Sequence, residues 1–397
     1  MLEISCGYSG GRWLRSSQLM RVAAAVAIVS PTPSLTSQRV LRVTDQVSCP
    51  QCRIELDRRV VIQAPAEGLP GFPADFAMDA NGRIYLGFGN PPELMRFSQT
   101  GVFQQKWTRS GEGPGEARMI RYVQVIEGDS VLVYDATLQR ASLFSPAGEF
   151  ARAFRSPSGM SRPIQVGDGR FVINELIGEP QRVGLPFHEF LRTGLIGRSF
   201  GSREANVRPT ESFRLKRFAA PSRTYPGDHF WAADAYGRYV IELRRVGVDA
   251  PVLTIERPVS WFPAPTETGF ERPSIDRPPL SRIWGLWEDG DGLLWVLVRV
   301  ADRRWRSAVA ADAGRGEPGA PSRGSPGIRI TNPGHYTDFR FEVIDPRRGR
   351  LVASLQVDEA FSIGSTPGVL IGYAQGTDQD DPQWAVITPR VTGIANP

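Results

Sequence analysis

Hydrophobic positions in residues 75–116 fall into four short runs separated by turn residues. Phe76, Ala77 and Met78 make the first run, and Asp79-Ala80-Asn81-Gly82 closes it as a turn. Ile84, Tyr85 and Leu86 follow, stopped by Asn90-Pro91-Pro92. Leu94-Met95-Arg96-Phe97 is a third run, turned at Thr100-Gly101, and residues 102–107 alternate as an outer strand does. The pattern predicts one four-stranded antiparallel meander.

The same pattern recurs along the chain. Residues 123–154 repeat it most closely, and weaker echoes start at Ile164, Phe218 and Ile283. A meander of about this length repeated around a chain predicts propeller blades. Two remnants complete the count. Arg53-Ile54-Glu55-Leu56 and Val60-Val61-Ile62 form an extended segment with no partner, while the last segment, from Phe361 to Ile387, is one strand short. Joining them closes a ring and removes two open sheet edges. The expected fold is therefore all-β, a six-bladed β-propeller of four-stranded antiparallel blades closed by an N-terminal strand in the C-terminal blade. A seventh blade would have to come from long segments too proline-rich to supply a meander.

Three motifs in the first meander carry a resemblance. Asp79-x-x-Gly82-x-Ile84-Tyr85, Phe97-x-x-x-Gly101-x-Phe103 and the closing Gly111-x-Gly113-Pro114-Gly115-Glu116 resemble the six-bladed β-propeller family related to NHL repeats. The resemblance implies architecture and names no ligand. Propeller lyases and esterases of similar architecture use metal-bound histidines or acidic clusters in the channel, which makes a metal-dependent enzyme the alternative to a binding module.

Length and composition agree with one propeller and a leader. The chain has 397 residues, 41% hydrophobic, with 41 glycines and 33 prolines, as a protein of many hairpins requires. Net charge is +5, almost all of the positive charge is arginine, and no dense basic tract points to nucleic acid. Near the N-terminus, Arg12, Arg15 and Arg21 flank the short apolar run 22–29, followed by Ser30-Pro31. That is a signal-peptide pattern, too short for a stable transmembrane helix, and Met20 is an alternative start. It predicts a periplasmic or secreted protein with residues 1–52 as leader and linker and residues 53–397 as the propeller. Cys49 and Cys52 lack the following histidine of a haem site, the second pair of a zinc site and the βαβ context of a redox motif. In an exported protein they read as a local disulfide.

Long insertions are expected at 178–186 and, as a low-complexity segment, at about 306–334, each between the second and third strands of a blade. Those at 201–216 and 259–281 lie between blades. In a meander both classes emerge on one face, the usual binding face. The first strands of blades two to five begin at Arg121, Arg162, Arg217 and Arg282, and those of blades one and six at Asp75 and Glu359. Four arginines at the channel mouth suit an anionic small molecule, glycan or protein. The competing reading makes them blade-to-blade clips on Asp75, Glu359 and the Glu112/Glu116 loop. No catalytic group and no bound cofactor is expected. For a divalent metal only His188 and His335 offer themselves, as scattered loop histidines with no ligand spacing. Asp289-Gly290-Asp291-Gly292 reads as a hairpin turn rather than a calcium loop. Trp261 and Phe262 are candidates for contact with a sugar or peptide.

Overall fold

The computed structural model describes residues 39–156, 161–175, 177–191, 193–204, 217–234, 237–262, 274–311, 328–373 and 383–394. The chain divides into units of residues 1–37 and 38–397, and the described residues belong to the second. The leader pattern and its apolar run lie outside them.

Six antiparallel sheets form the ring of a six-bladed β-propeller. Blade 1 is Asp75–Met78, Ile84–Phe88, Glu93–Phe97 and Phe103–Lys106. Blade 2 is Ile120–Ile126, Ser130–Asp135, Arg140–Phe144 and Phe150–Arg155. Blade 3 is Ile164–Val166, Arg170–Ile173, Phe187–Phe190 and Ile196–Phe200. Blade 4 is Arg217–Pro221, His229–Asp234, Val240–Arg245 and Leu253–Glu256. Blade 5 is Arg282–Glu288, Leu294–Ala301, Thr337–Asp345 and Arg350–Val357. Blade 6 takes Phe361–Ile363, Leu370–Tyr373 and Trp384–Thr392 from the C-terminal part of the chain and Arg53–Val61 from the N-terminal part.

That last pairing closes the ring. Arg53 lies opposite Thr392, Val60 opposite Val386 and Val61 opposite Ala385, antiparallel along nearly the whole of both strands. Between successive blades sits a layer of apolar side chains. Tyr85 and Leu94 of blade 1 pack with Val123 and Val133 of blade 2, and Tyr134 of blade 2 packs with Phe171 of blade 3. Phe341 of blade 5 meets Phe361 of blade 6, and Ile371 and Val386 of blade 6 meet Phe76 and Leu86 of blade 1. Burying both faces of each sheet in this way is what holds a ring of otherwise marginal hairpins together.

The hairpin turns use one device. The Asp79 carboxylate accepts the backbone N–H groups of Asn81 and Arg83 at 2.9 Å each and the Tyr85 hydroxyl at 2.9 Å. Asp289 accepts Asp291 N–H at 3.0 Å, Leu293 N–H at 2.9 Å and the Trp295 indole N–H at 2.7 Å. In both turns the glycine three residues after the aspartate, Gly82 or Gly292, sits at φ +76°, where a side chain would be strained. The Asp289 oxygens thus close a hairpin.

Two segments extend the sequence reading. Arg39–Arg42, within the expected leader, adds a fifth strand to blade 4, parallel to Leu253–Glu256, and Val43 behind it is fully buried. An outer strand with a bare edge accepts such a partner, and covering it removes a site of edge-to-edge association. The insertion in blade 5 is ordered at its root: Trp305–Ala308 forms a 3-10 turn, and Val309–Ala311 pairs with Ile328–Ile330. Residues 312–327 lie outside the described part. Trp261 and Phe262 are taken up by packing. Phe262 is buried, and Trp261 lies against Tyr239 with the Arg340 guanidinium 4.5 Å from its ring centre.

Candidate functional site

The first strand of each blade is the inner one. The first strand of blade 1 is buried and its fourth strand is largely exposed. The four arginines stand at the beginnings of first strands, or two residues ahead in the case of Arg162. Their surroundings differ.

Arg162 is engaged. Its Nη2 donates to Asp75 Oδ1 at 2.6 Å and to the Ile363 carbonyl at 3.0 Å, and its Nη1 donates to the Gly364 carbonyl at 2.8 Å. It therefore runs from the start of blade 3 to blade 6, on the opposite side of the ring, and to blade 1. Asp75 Oδ2 in turn accepts the Val123 N–H of blade 2 at 2.9 Å. Four blades meet on this pair. The approach is close enough to require glycine at 364, where a Cβ would stand 2.4 Å from the Phe76 carbonyl oxygen. Burial pushes the Asp75 carboxyl up to about 6, against the pull of Arg162 and the Val123 N–H.

Arg121 is exposed, and its Nε donates to the Tyr122 hydroxyl at 3.2 Å. Its guanidinium carbon is 5.6 Å from the Tyr122 ring centre, and that of Arg162 is 5.8 Å from the same ring. Tyr122 is stacked on Tyr134 at 5.9 Å, which fixes its position. Two guanidinium groups thus share one aromatic ring, and Asp75 is the carboxylate paired with them among the described residues. Arg282 is half-buried and makes contacts of its own, as does Glu359. The side chain of Arg217 lies outside the described residues. The structure brings Arg121 and Arg162 together with Asp75. Tyr122 belongs with them, and its place next to Arg121 in the sequence was the available signal.

The remaining candidates sit elsewhere. His188 is fully buried in blade 3, its Nδ1 2.7 Å from Ser199 Oγ and its Nε2 2.9 Å from the Glu175 carbonyl. Burial holds its pKa below the usual histidine range, so it is a neutral core group. His335 lies in the short 3-10 turn Pro333–His335 of the blade 5 insertion. Among the described residues the metal-ligating side chains that converge are Asp302, Asp338 and Asp358, with oxygens within 4.8 Å of one another. Neither histidine belongs to that group. No local spacing could have announced it, since the blade 5 insertion separates Asp302 from Asp338. The sulfurs of Cys49 and Cys52 are 1.97 Å apart. The Gly111–Glu116 loop is a turn: Glu116 Oε2 accepts Gly113 N–H at 2.9 Å, and Arg140 donates to the Glu112 and Glu116 carbonyls.

The fold defines the class, a six-bladed β-propeller. No known protein family's profile matches the chain, and no curated protein sequence does. Among solved structures, similar ones include a presumed exported protein from Bacteroides fragilis, at 11% identity over 89% of this chain and 99% of that one, TM-score 0.56. A member of the DUF4221 family from Bacteroides vulgatus is 10% identical over 86% of this chain and 98% of that one, TM-score 0.57. The virginiamycin B lyase of Staphylococcus aureus matches at 9% identity over 85% of this chain and 99% of that one, with a TM-score of 0.45. The two Bacteroides likenesses show the propeller fold. Among the described residues no helix is long and apolar enough to cross a membrane.

Proposed function

We propose that the protein is an exported propeller that binds an anionic ligand, or an anionic group on a glycan or protein, at the mouth of its channel, without catalysing a reaction on it. The observation that carries this reading is the pair of guanidinium groups on Tyr122. Arg162 is compensated by Asp75, whereas Arg121 is exposed and makes no ion pair among the described residues. The mouth therefore keeps a net positive charge beside a flat aromatic surface, a combination that suits carboxylate, sulfate or phosphate. Arg162 serves as the rigid floor of such a seat and Arg121 as its adjustable arm.

Export rests on the N-terminal pattern and on the cysteine pair, which suits an oxidising compartment. A channel enzyme finds less support. Asp75 has an elevated pKa, yet its side chain is fully buried and both its oxygens are occupied, so no substrate reaches it. A thermal-shift screen at low salt with citrate, sulfate, phosphate and uronic acids tests the reading. At least one of them should raise the melting temperature of the parent and not of Arg121→Ala. Equal behaviour of the two proteins across the whole panel would refute it.

A further inference from the structure

We propose that Asp302, Asp338 and Asp358 form a seat for a divalent cation of the calcium type at the root of the blade 5 insertion. Asp302 follows the second strand of the blade, Asp338 opens the third, and Asp358 follows the fourth. Each offers a carboxylate oxygen, and the three oxygens lie within 4.8 Å of one another. Oxygens that share a calcium ion at about 2.3–2.6 Å can be no more than roughly 4.6–5.2 Å apart, so the spacing is one a single ion can span.

Charge and hydrogen bonding in the cluster are both incomplete. Arg304 is the cation that answers it: its backbone N–H donates to Asp302 Oδ1 at 2.5 Å, and its Nη2 joins Asp302 Oδ2, at 2.8 Å, to Asp358. Among the described residues three carboxylates face one guanidinium, which leaves two negative charges. Asp302 is 2% exposed and Asp338 8%. Asp338 Oδ2 accepts the Gln356 amide at 2.7 Å, while Asp338 Oδ1 is buried with no donor group on it among the described residues, the Asp302 carboxyl being its polar neighbour. A buried carboxylate oxygen with nothing bound to it is costly, and buried polar atoms are nearly always satisfied. Burial and the neighbouring Asp302 push the Asp338 carboxyl up, while Arg304 holds Asp302 below the usual range. A proton on Asp338 relieves part of this strain, and a divalent cation satisfies both the charge and the orphaned oxygen.

The donor set selects the ion. It is all oxygen, with no histidine or cysteine, which suits calcium or magnesium rather than zinc. Irregular ligand placement from three separate chain segments favours calcium, whose coordination shell is the more flexible. Bound there, the ion would tie both ends of the insertion to the link between blades 5 and 6. The site is independent of the channel mouth, so either reading can fail without the other.

The test uses full-length protein freed of metal by a chelator, with Ca2+ or Mg2+ added back, read by thermal denaturation and by terbium luminescence. Ca2+ at roughly 5 mM should raise the melting temperature by about 2–5 °C and displace bound Tb3+. The rise should be lost in Asp338→Asn and in Asp358→Asn. Asp358 is exposed, so the second variant folds even where the first is compromised. Absence of any Ca2+-dependent shift or Tb3+ signal in the parent would overturn the proposal. A shift that persists in Asp358→Asn would do the same.

Discussion

Arg162 Nη2 donates to Asp75 Oδ1 at 2.6 Å, joining the start of blade 3 to the start of blade 1 across the channel mouth. The two residues are 87 apart in sequence, and the same guanidinium holds two carbonyls of blade 6. This arginine acts first as a tie. Arg162→Met should therefore cost about 2–3 kcal/mol, at the low end for a broken buried pair, because Asp75 protonates when its partner is gone. Urea denaturation of Arg162→Met, Asp75→Asn and the double variant measures it. The double variant should lose less than the sum of the singles, and strict additivity would mean that the two side chains do not act together.

The pH dependence has a defined sign. The folded state holds the Asp75 proton more tightly than the unfolded state, since burial lifts its pKa from 3.8 to about 6. The stability this provides is complete below about pH 4 and is lost as pH rises through 6. Glu116, Glu189, Glu288 and Asp302 shift in the opposite direction and Asp338 in the same one, so the difference between parent and Asp75→Asn is what isolates the effect. That difference should change by on the order of 2–3 kcal/mol between pH 4 and 7. Parallel stability curves for the two proteins would contradict it.

Blade 6 depends on the N-terminal strand. Deleting residues 1–62 removes Arg53–Val61 from Trp384–Thr392 and Arg39–Arg42 from the edge of blade 4, leaving two open sheet edges, so the product should aggregate or melt far below the parent. Deleting residues 1–38 should leave the melting temperature nearly unchanged, because every described strand of the ring is kept. Size-exclusion chromatography and thermal melts compare them. A monomeric product of the longer deletion that melts like the parent would rule out this closure.

Glu342 makes one of the polar contacts between blades 4 and 5. It is fully buried, accepts the Tyr239 hydroxyl at 2.8 Å, and pairs with Arg257, whose side chain is also fully buried. Glu342→Ala leaves that guanidinium with Asp45 and the Val43 carbonyl alone and should cost about 3 kcal/mol, whereas Glu342→Leu with Arg257→Met should recover part of it. Chemical denaturation decides, and a loss under 1 kcal/mol for Glu342→Ala would show the pair to be dispensable.

What the sequence made legible was what local pattern encodes. Turn aspartates and glycines such as Asp79 and Gly82 mark hairpins from a few adjacent residues, and a partnerless segment at Arg53 with a short last blade implies ring closure. Contacts set by the stagger of one blade against another were hidden. That Arg162 would reach Ile363 and Gly364 depends on how far the inner strand of blade 6 slides along its neighbours, which no local pattern records. Arg39–Arg42 is four residues long and pairs in parallel with a strand more than 200 residues away, so its role in blade 4 is likewise written only in the assembled ring. The aspartates of blade 5 come together only because its second, third and fourth strands lie side by side.

The most direct measurement of the anion seat is calorimetric titration of citrate into the parent, Arg121→Ala and Arg121→Lys at low salt. The parent should bind citrate, more weakly as salt rises through about 0.15 M. Arg121→Ala should bind about fivefold to tenfold more weakly at an unchanged melting temperature, with Arg121→Lys between the two, because an ammonium keeps the charge and loses the fork. No heat from the parent at low salt, or identical affinity in all three proteins, would show that the channel-mouth arginines serve the fold alone.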